Sequence, residues 1–268
     1  MKKIGYGGLV VVLLVSVMGF VYALLRPSPP SDHHTLRVGV TAGPHAIIME
    51  QVKIEAKKHG LNLKIIEFND FMLPNAALAQ GDIDVNSYQH QPFLEEQVKA
   101  LGYPLKGIAK TVLMPMAVYS RSVKTIQEIP DHSVITIPND PTNGGRALLL
   151  LAQLGLIRLK NVSNPKVVDI TENPKHLIIK ELDAPSLPIT LEDAAAAVIN
   201  TDWVFLAGID PDIAIAAETA NSPYANIIAV RQGHEQDNRI QTFIKIYQSP
   251  EIKDFIAHTF KGSVIPAW

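Results

Sequence analysis

One aromatic and polar stretch of the chain combines side chains that suit either catalysis or a ligand pocket. The stretch VNSYQHQPFLEE, residues 85–96, places Tyr88, His90 and Phe93 where an apolar run ends and a helix is predicted to begin at Pro92. Aromatic walls with one polar tip suit an apolar ligand tail. Ordinary core packing with His90 as a helix cap is the alternative, and the stretch alone favours that alternative.

A second stretch predicts an anion site. In PNDPTNGGRALLLL, residues 138–151, a predicted strand ends and a helix is predicted to begin near Gly144 or Gly145. Backbone N–H groups at a helix start attract anions, and Arg146 in the first turn adds a planar, two-pronged donor for a carboxylate. Asn143 is placed to cap the helix or to contact a ligand. A capping Asn143 and an Arg146 in a surface ion pair explain the stretch equally well.

Two further polar residues lie at the ends of apolar runs. Asn200 ends AAAVIN, and Asn226 begins NIIAVR. Either residue by itself is more typical of a turn than of a site.

The sequence lacks the usual patterns of catalytic and metal sites. There is no G-x-S-x-G to supply His90 with a nucleophile, no nucleotide P-loop and no H-E-x-x-H. The chain has 9 histidines that are scattered along it and no cysteine. We therefore expect no catalytic residue, no metal site and no cofactor.

Composition narrows the class of partner. The 268 residues carry a net charge of −2 and are 47% hydrophobic, which suits a globular protein with a sizeable core. Near-neutral charge gives no electrostatic reason to expect nucleic acid as a partner.

The first 33 residues have the pattern of an export segment. Lys2 and Lys3 precede a mostly apolar stretch from 4 to 25, and a Pro-rich linker follows. This pattern predicts a signal peptide or an uncleaved membrane anchor, with the rest of the chain exported. We therefore exclude 1–33 from the fold.

Short apolar runs alternate with amphipathic stretches along the rest of the chain. Strands are predicted at 36–40, 63–68, 83–88, 111–120, 134–138, 166–170, 195–200 and 226–231. Helices are predicted at 45–59, 74–81, 92–101 and 145–155 and near the C-terminus. This alternation predicts an α/β protein with mostly parallel sheets, in which ligands bind beyond the carboxyl ends of the strands.

Taken together, the motifs resemble the methionine-binding proteins of the NlpA/MetQ family, over nearly all of residues 35–268. The resemblance rests on RVGVTAGPHAIIME, FNDFMLPNAALAQGDIDVNSYQHQPFL, KTVLMPMAVYS, IPNDPTNGGRALLLLAQLGLIRL, AAAVINTDWVFLAG, SPYANIIAVR and the terminal PAW. So many motifs in the same order are specific for the family.

The resemblance implies a two-lobe periplasmic-binding-protein fold of type II-like architecture with two crossing hinge segments. We place lobe I at 35–117 and 227–268, and lobe II at 118–226. The resemblance also implies that Phe71, Tyr88, His90 and Phe93 wall the pocket for a thioether side chain. It further implies that Arg146 clamps the ligand carboxylate beside Asn143, and that Asn200 and Asn226 bond the amino and carboxylate ends.

The implied function is capture of methionine outside the cytoplasm and delivery to an ABC permease with its ATPase subunit. The implied partners also include the membrane, through the N-terminal segment if it is uncleaved. L-methionine is the leading ligand; D-methionine, a methionyl dipeptide, another apolar amino acid and a sulfonate are alternatives. An exported hydrolase using His90, or a membrane-tethered surface protein with a vestigial pocket, would be a different class.

This chain departs from the family pattern at three points. It has no cysteine at the end of its signal-like segment, so we expect no lipidation. Val112 stands where many members have histidine, and Met114 stands where many have an acidic residue. Both changes lie on the first predicted crossing, so they could reshape the pocket.

Overall fold

The computed structural model describes residues 34–219 and 222–268, so the predicted signal or anchor in 1–33 lies outside the described residues. The strands are β1 Thr35–Thr41, β2 Asn62–Phe68, β3 Val85–His90, β4 Leu105–Lys110, β5 Val112–Leu113, β6 Ala117–Tyr119, β7 Val134–Pro138, β8 Arg158–Leu159, β9 Ile170–Glu172, β10 Ile178–Leu182, β11 Ala196–Ile199, β12 Ala214–Ala217, β13 Asn226–Arg231 and β14 Ile265–Pro266. The α-helices are α1 Pro44–Lys58, α2 Leu73–Gln80, α3 Gln91–Leu101, α4 Pro141–Gln153, α5 Thr201–Leu206, α6 Asn238–Tyr247 and α7 Pro250–Phe260.

The first sheet has five strands in the order β2-β1-β3-β13-β4. Strand β3 runs parallel to β1, whereas β13 runs antiparallel to β3 and to β4. Helix α1 buries Ile48 and Val52 against this sheet, and Phe243 and Tyr247 of α6 belong to the same core. We call the part of the protein built on this sheet lobe I.

The second sheet also has five strands, in the order β10-β7-β11-β6-β12. Strands β10, β7 and β11 are parallel, and β6 is antiparallel to its neighbours β11 and β12. Its core contains Ile135 and Ile137 of β7 together with Leu148 and Leu151 of α4. We call the part built on this sheet lobe II.

These two sheets confirm the predicted two-lobe α/β architecture. The chain passes from lobe I to lobe II between Leu113 and Ala117, and it leaves the second sheet at Ala217 and re-enters the first at Asn226. Both sheets are mixed rather than mostly parallel, since β13 and β6 enter next to these crossings and run against their neighbours. The predicted lobe boundaries stay a prediction, and both lobes belong to one compact unit, Leu36–Trp268.

Two runs predicted as strands do not form single strands in the structure. The run 111–120 is split into β5 and β6, because Pro115 between them has no N–H to offer a sheet. The run 166–170 forms a 3-10 turn, Val167–Asp169, in which the Asp169 carboxylate accepts the Lys166 N–H at 3.0 Å. Such local side-chain bonds compete with strand pairing.

Within the part of the chain that the structure describes, no helix is both long enough and apolar enough to span a bilayer.

Candidate functional site

Strand ends from both sheets meet at one cleft. Strand β3 ends at His90, which pairs with Asn226 at the start of β13. From the other lobe, β7 leads through Asp140 into α4, and β11 leads through Asn200 into α5. The cleft therefore lies where parallel-strand ends are expected to hold a ligand.

All eight residues that the sequence predicted for the site line this cleft. Its lining consists of Phe71, Tyr88, Gln89, His90, Phe93, Met114, Asn143, Arg146, Asn200, Thr201, Asp202 and Asn226. The cavity between these side chains is small, about 20 Å³. The cleft is thus a narrow slot with a mixed lining of rings, amides and charged groups, suited to a slender small molecule.

Aromatic rings form one wall of the slot. The ring centroid of Phe71 lies 6.3 Å from those of Tyr88 and Phe93, and 5.2 Å from that of Trp203 in lobe II. The Tyr88 hydroxyl donates to the carbonyl oxygen of Phe71 at 2.8 Å, so the polar atom is satisfied and an apolar ring is left at the cleft. The contact between Phe71 and Trp203 also joins the two lobes across the cleft.

Arg146 is buried, with 4% of its side chain exposed, and most of its donors are already engaged. Its Nε and Nη2 donate to the two carboxylate oxygens of Glu218 at 2.8 and 2.5 Å, and Nη2 also donates to the Met114 carbonyl at 3.0 Å. The guanidinium lies 4.5 Å from the ring centroid of Tyr224. The surface ion pair considered from the sequence is therefore a buried one. Among the described residues, none forms a hydrogen bond with Nη1, so this nitrogen is left for a ligand.

The start of α4 differs from the prediction. The helix begins at Pro141, so Arg146 lies in the second turn and not in the first. Asp140 is the N-cap residue, and its carboxylate accepts the Asn143 N–H at 2.9 Å. The helix start is therefore capped by the protein's own carboxylate, and Asn143 is free of the capping role that the sequence suggested. Burial raises the pKa of Asp140 against the opposing hydrogen bonds from residues 142 and 143.

Asn143 instead connects both lobes through its amide. Its Nδ2 donates to the Asp140 carboxylate at 3.0 Å, which turns Oδ1 towards the cleft. Oδ1 accepts from Asn200 Nδ2 at 2.9 Å and lies 3.4 Å from His90 Nε2. Because Asp140 holds Nδ2 of Asn143 and Asn143 Oδ1 holds Nδ2 of Asn200, the orientation of both amides in the cleft is fixed.

His90 both caps a helix and faces the cleft. Its Nδ1 accepts the Phe93 N–H at 3.1 Å, so the ring proton is on Nε2, which points to Asn143. Burial, together with the charge of Arg146, lowers the pKa of His90 to about 3. The helix-cap alternative and the pocket-wall prediction are therefore both realised by one side chain.

A second buried group lies beside Asn226. This group is His45, whose Nε2 is 3.0 Å from Nδ2 of Asn226 and 3.7 Å from Oδ1 of Asp202. Burial lowers the pKa of His45 to about 3, so its approach to Asp202 is not an ion pair. Thr41 donates its hydroxyl to Asp202 Oδ1 at 3.2 Å and so links β1 of lobe I to α5 of lobe II.

Several residues of the site were not singled out from the sequence. They are His45, Gln89, Thr201, Asp202, Trp203, Glu218 and Tyr224. Thr201, Asp202 and Trp203 follow Asn200 in INTDW, and Tyr224 lies in SPYANIIAVR, so proximity to a predicted site residue was an available signal. Glu218 had no comparable signal, because its role depends on a partner that is distant in the chain.

No three histidine, aspartate or glutamate side chains within residues 34–219 and 222–268 lie close enough together to hold a metal ion.

Comparison with known proteins supports the same fold and family. The sequence profile of the NlpA lipoprotein family matches residues 36–268. The D-methionine-binding lipoprotein MetQ of Escherichia coli (strain K12) is 42% identical over 243 residues, which cover 88% of this chain and 90% of that protein. A nutrient binding protein from Burkholderia cenocepacia, solved bound to methionine, matches with a TM-score of 0.85 and 47% identity, covering 87% of this chain and 100% of that one. An ABC transporter periplasmic substrate-binding protein from Coxiella burnetii matches with a TM-score of 0.84 and 40% identity, covering 87% of this chain and 100% of that one.

The names of these relatives also bear on membrane attachment. Several are called lipoproteins, so the comparisons give no support to the expectation that this chain is not lipidated. That expectation rests only on the absence of cysteine from the sequence. The profile match and the identity to the relatives, by contrast, extend over nearly the whole described chain. The chain belongs to the NlpA lipoprotein family.

Proposed function

We propose that this protein is the extracytoplasmic substrate-binding protein of an ABC importer and that it captures methionine. The observation that carries the proposal is the cleft itself, in which the Arg146 guanidinium and an aromatic wall line one narrow slot between two lobes. The Burkholderia cenocepacia protein bound to methionine has the same fold, which supports this choice of ligand. Delivery would be to a membrane permease with its ATPase subunit.

The carboxylate of the ligand would bind Arg146. Its Nε and Nη2 are held by Glu218, so the ligand would use Nη1 rather than the two-pronged edge expected from the sequence. The ion pair with Glu218 and the ring of Tyr224 would keep the guanidinium in place. A positioned charge of this kind loses little freedom on binding. The amide of Asn226, at the lobe I side of the cleft, would add a further hydrogen bond.

The thioether side chain would lie against Phe71, Tyr88 and Phe93. These rings are within 6.3 Å of one another and present apolar faces and edges. A polarisable sulfur makes favourable contacts with ring edges, which distinguishes methionine from a purely aliphatic side chain. Met114 adds another apolar group to this lining.

Binding without catalysis fits His90 better than a hydrolase does. A general base needs a free ring nitrogen within reach of a nucleophile. In this structure Nδ1 accepts a backbone N–H and Nε2 faces the Asn143 amide. Neither nitrogen is directed at a hydroxyl, so we assign His90 to the pocket wall and not to chemistry.

L-methionine is the ligand that we propose, with D-methionine as the alternative that the names of relatives favour. Competition calorimetry with both isomers, a methionyl dipeptide and a sulfonate would separate the candidates. Tighter binding of the sulfonate than of either isomer would contradict an amino-acid site.

Replacement of Arg146 by lysine tests the carboxylate clamp. Arg146→Lys keeps the positive charge that Glu218 needs but removes the planar fork, so we expect a folded protein with about 10- to 100-fold weaker methionine binding in calorimetry. Arg158→Lys is the matched control, because Arg158 makes an exposed ion pair with Glu172. If both variants bind methionine with equal affinity, the assignment of Arg146 to the ligand carboxylate is wrong.

A further inference from the structure

Asp202 is a buried carboxylate of the cleft lining, and no cationic side chain of the described residues pairs with it. Only 5% of the residue is exposed. Its Oδ1 accepts the Thr41 hydroxyl at 3.2 Å, and the nearest basic atom, His45 Nε2 at 3.7 Å, belongs to a neutral ring. No lysine or arginine of the described segments forms an ion pair with Asp202. Most buried carboxylates are paired, so this one requires an explanation.

The charge is not needed for the contacts that the side chain makes. An asparagine of the same shape could accept the Thr41 hydroxyl and join the lobes equally well. The carboxylate is instead disfavoured by its surroundings, and burial raises its pKa to about 7. A perturbed group in a cleft is a candidate for ligand contact.

A buried acceptor without a donor lines the same cleft. Asn200 Oδ1 is buried and accepts no hydrogen bond from the residues that the structure describes. Its own Nδ2 is held by Asn143, so the amide cannot simply be turned round without losing that bond. Among the described residues, Asn200 Oδ1 thus has no donor and the Asp202 carboxylate has no cationic partner, so both suit the N–H groups of a ligand.

The cleft thus has two distinct chemical poles. Arg146 offers a donor and a positive charge, whereas Asp202 and Asn200 offer acceptors and a negative charge. A ligand that satisfies both poles has an anionic group and, beside it, a cation with several N–H bonds. The zwitterionic head of a free amino acid has this pattern.

We propose that Asp202 is the anchor for the α-ammonium group of the ligand, with Asn200 Oδ1 as a second acceptor. This inference rests on the proposed function and deepens it, because it predicts which amino-acid derivatives the site rejects. Analogues that lack a protonated amine, such as the 2-hydroxy analogue of methionine or an N-acylated methionine, leave a buried carboxylate unpaired. Asp202 is thereby a specificity-determining residue.

The charged and titratable groups around Asp202 come from several elements. They are His45 of α1, His90 at the end of β3, Arg146 of α4, and Glu218 beyond β12. Both histidines are neutral, and Glu218 is paired with Arg146, so Asp202 is the group whose ionisation a ligand ammonium would change most. Near pH 6, binding of methionine should therefore release close to one proton from Asp202.

The test compares methionine with its 2-hydroxy analogue in calorimetry near pH 8, where Asp202 is ionised. We expect Asp202→Asn to weaken binding of L-methionine by about 10- to 100-fold while leaving the 2-hydroxy analogue unchanged or better bound. Asp212→Asn is the matched control, since it makes the same change in net charge at an exposed position. It should preserve the wild-type preference for methionine.

Proton release gives a second measurement that needs no variant. Titration of the wild-type protein near pH 6 in two buffers of different ionisation enthalpy should show release of close to one proton per methionine.

If Asp202→Asn keeps the wild-type selectivity, the assignment is wrong. If that variant does not fold, absence of proton release from the wild type overturns the assignment instead. A wild-type protein that binds no methionine at all would overturn the proposed function together with this inference, whereas methionine binding with unchanged selectivity overturns only the inference.

Discussion

The polar residues of the cleft act as one connected set in which each contact orients the next. The Asp140 carboxylate holds Nδ2 of Asn143, so the amide presents Oδ1 to His90 and to Asn200. An isolated asparagine can turn its amide either way at little cost. Here a charged partner decides the orientation, and the cleft is pre-organised before a ligand enters.

The protonation state of His90 can be tested by pH. Its pKa is lowered from 6.5 to about 3, so the stability that it contributes is fully present above pH 6.5 and is lost as pH falls through about 3. We expect the ring to stay neutral with its proton on Nε2 from pH 8 down to pH 5. Nitrogen-15 chemical shifts of the imidazole, assigned with a His90→Gln variant, measure this. A titration midpoint near 6.5 would mean that the ring is exposed to solvent.

Helix α4 shows how an element positions a site residue. Pro141 and Asp140 set where the helix begins, and three residues later Asn143 reaches across to the other lobe. Leu148 and Leu151 of the same helix anchor it in the lobe II core. The cap therefore determines both the stability of the helix and the placement of the amide.

Two helix caps can be compared to separate these roles. Asp140→Ala and Asp237→Ala each remove an N-cap acceptor, from α4 and α6 respectively, and each should lower the free energy of unfolding by about 1 kcal/mol. Only Asp140→Ala should also weaken methionine binding, because it releases the Asn143 amide. Chemical denaturation and calorimetry measure the two effects. Equal affinities in both variants would show that Asn143 holds its orientation without Asp140.

The whole molecule has its lobes in contact across the cleft. Phe71 touches Trp203, Thr41 donates to Asp202, and His90 lies beside Asn143. Each contact joins a residue of lobe I to a residue of lobe II, at the edge of the slot where a ligand would be enclosed. A ligand that bridges both lobes would add its own contacts to these, which favours the closed arrangement.

Closure can be followed through the tryptophans, of which the chain has two. Trp203 lies at the cleft against Phe71, whereas Trp268 packs on Tyr247 within lobe I. We expect methionine to change the emission of Trp203, since enclosure alters its aromatic neighbours and its access to water. The change should persist in Trp268→Phe and disappear in Trp203→Phe. A methionine-dependent change that survives Trp203→Phe would place the movement elsewhere.

Local patterns in the sequence determined much of this protein. Strands β7 and β13 have the predicted bounds, 134–138 and 226–231, because each is an apolar run limited by turn residues. The ordered motifs predicted the family and the eight pocket residues. What they could not supply was the contact between distant groups.

The tertiary structure alone decided those contacts. Arg146 meets Glu218, which is 72 residues away, and Thr41 meets Asp202, which is 161 residues away. Neither pair leaves a local trace in composition or periodicity, since only the folded chain brings its members together. The first pair lies within lobe II, and the second joins lobe I to lobe II. Periodicity records which face of an element is buried, whereas the charge that a buried group encounters depends on every element packed around it.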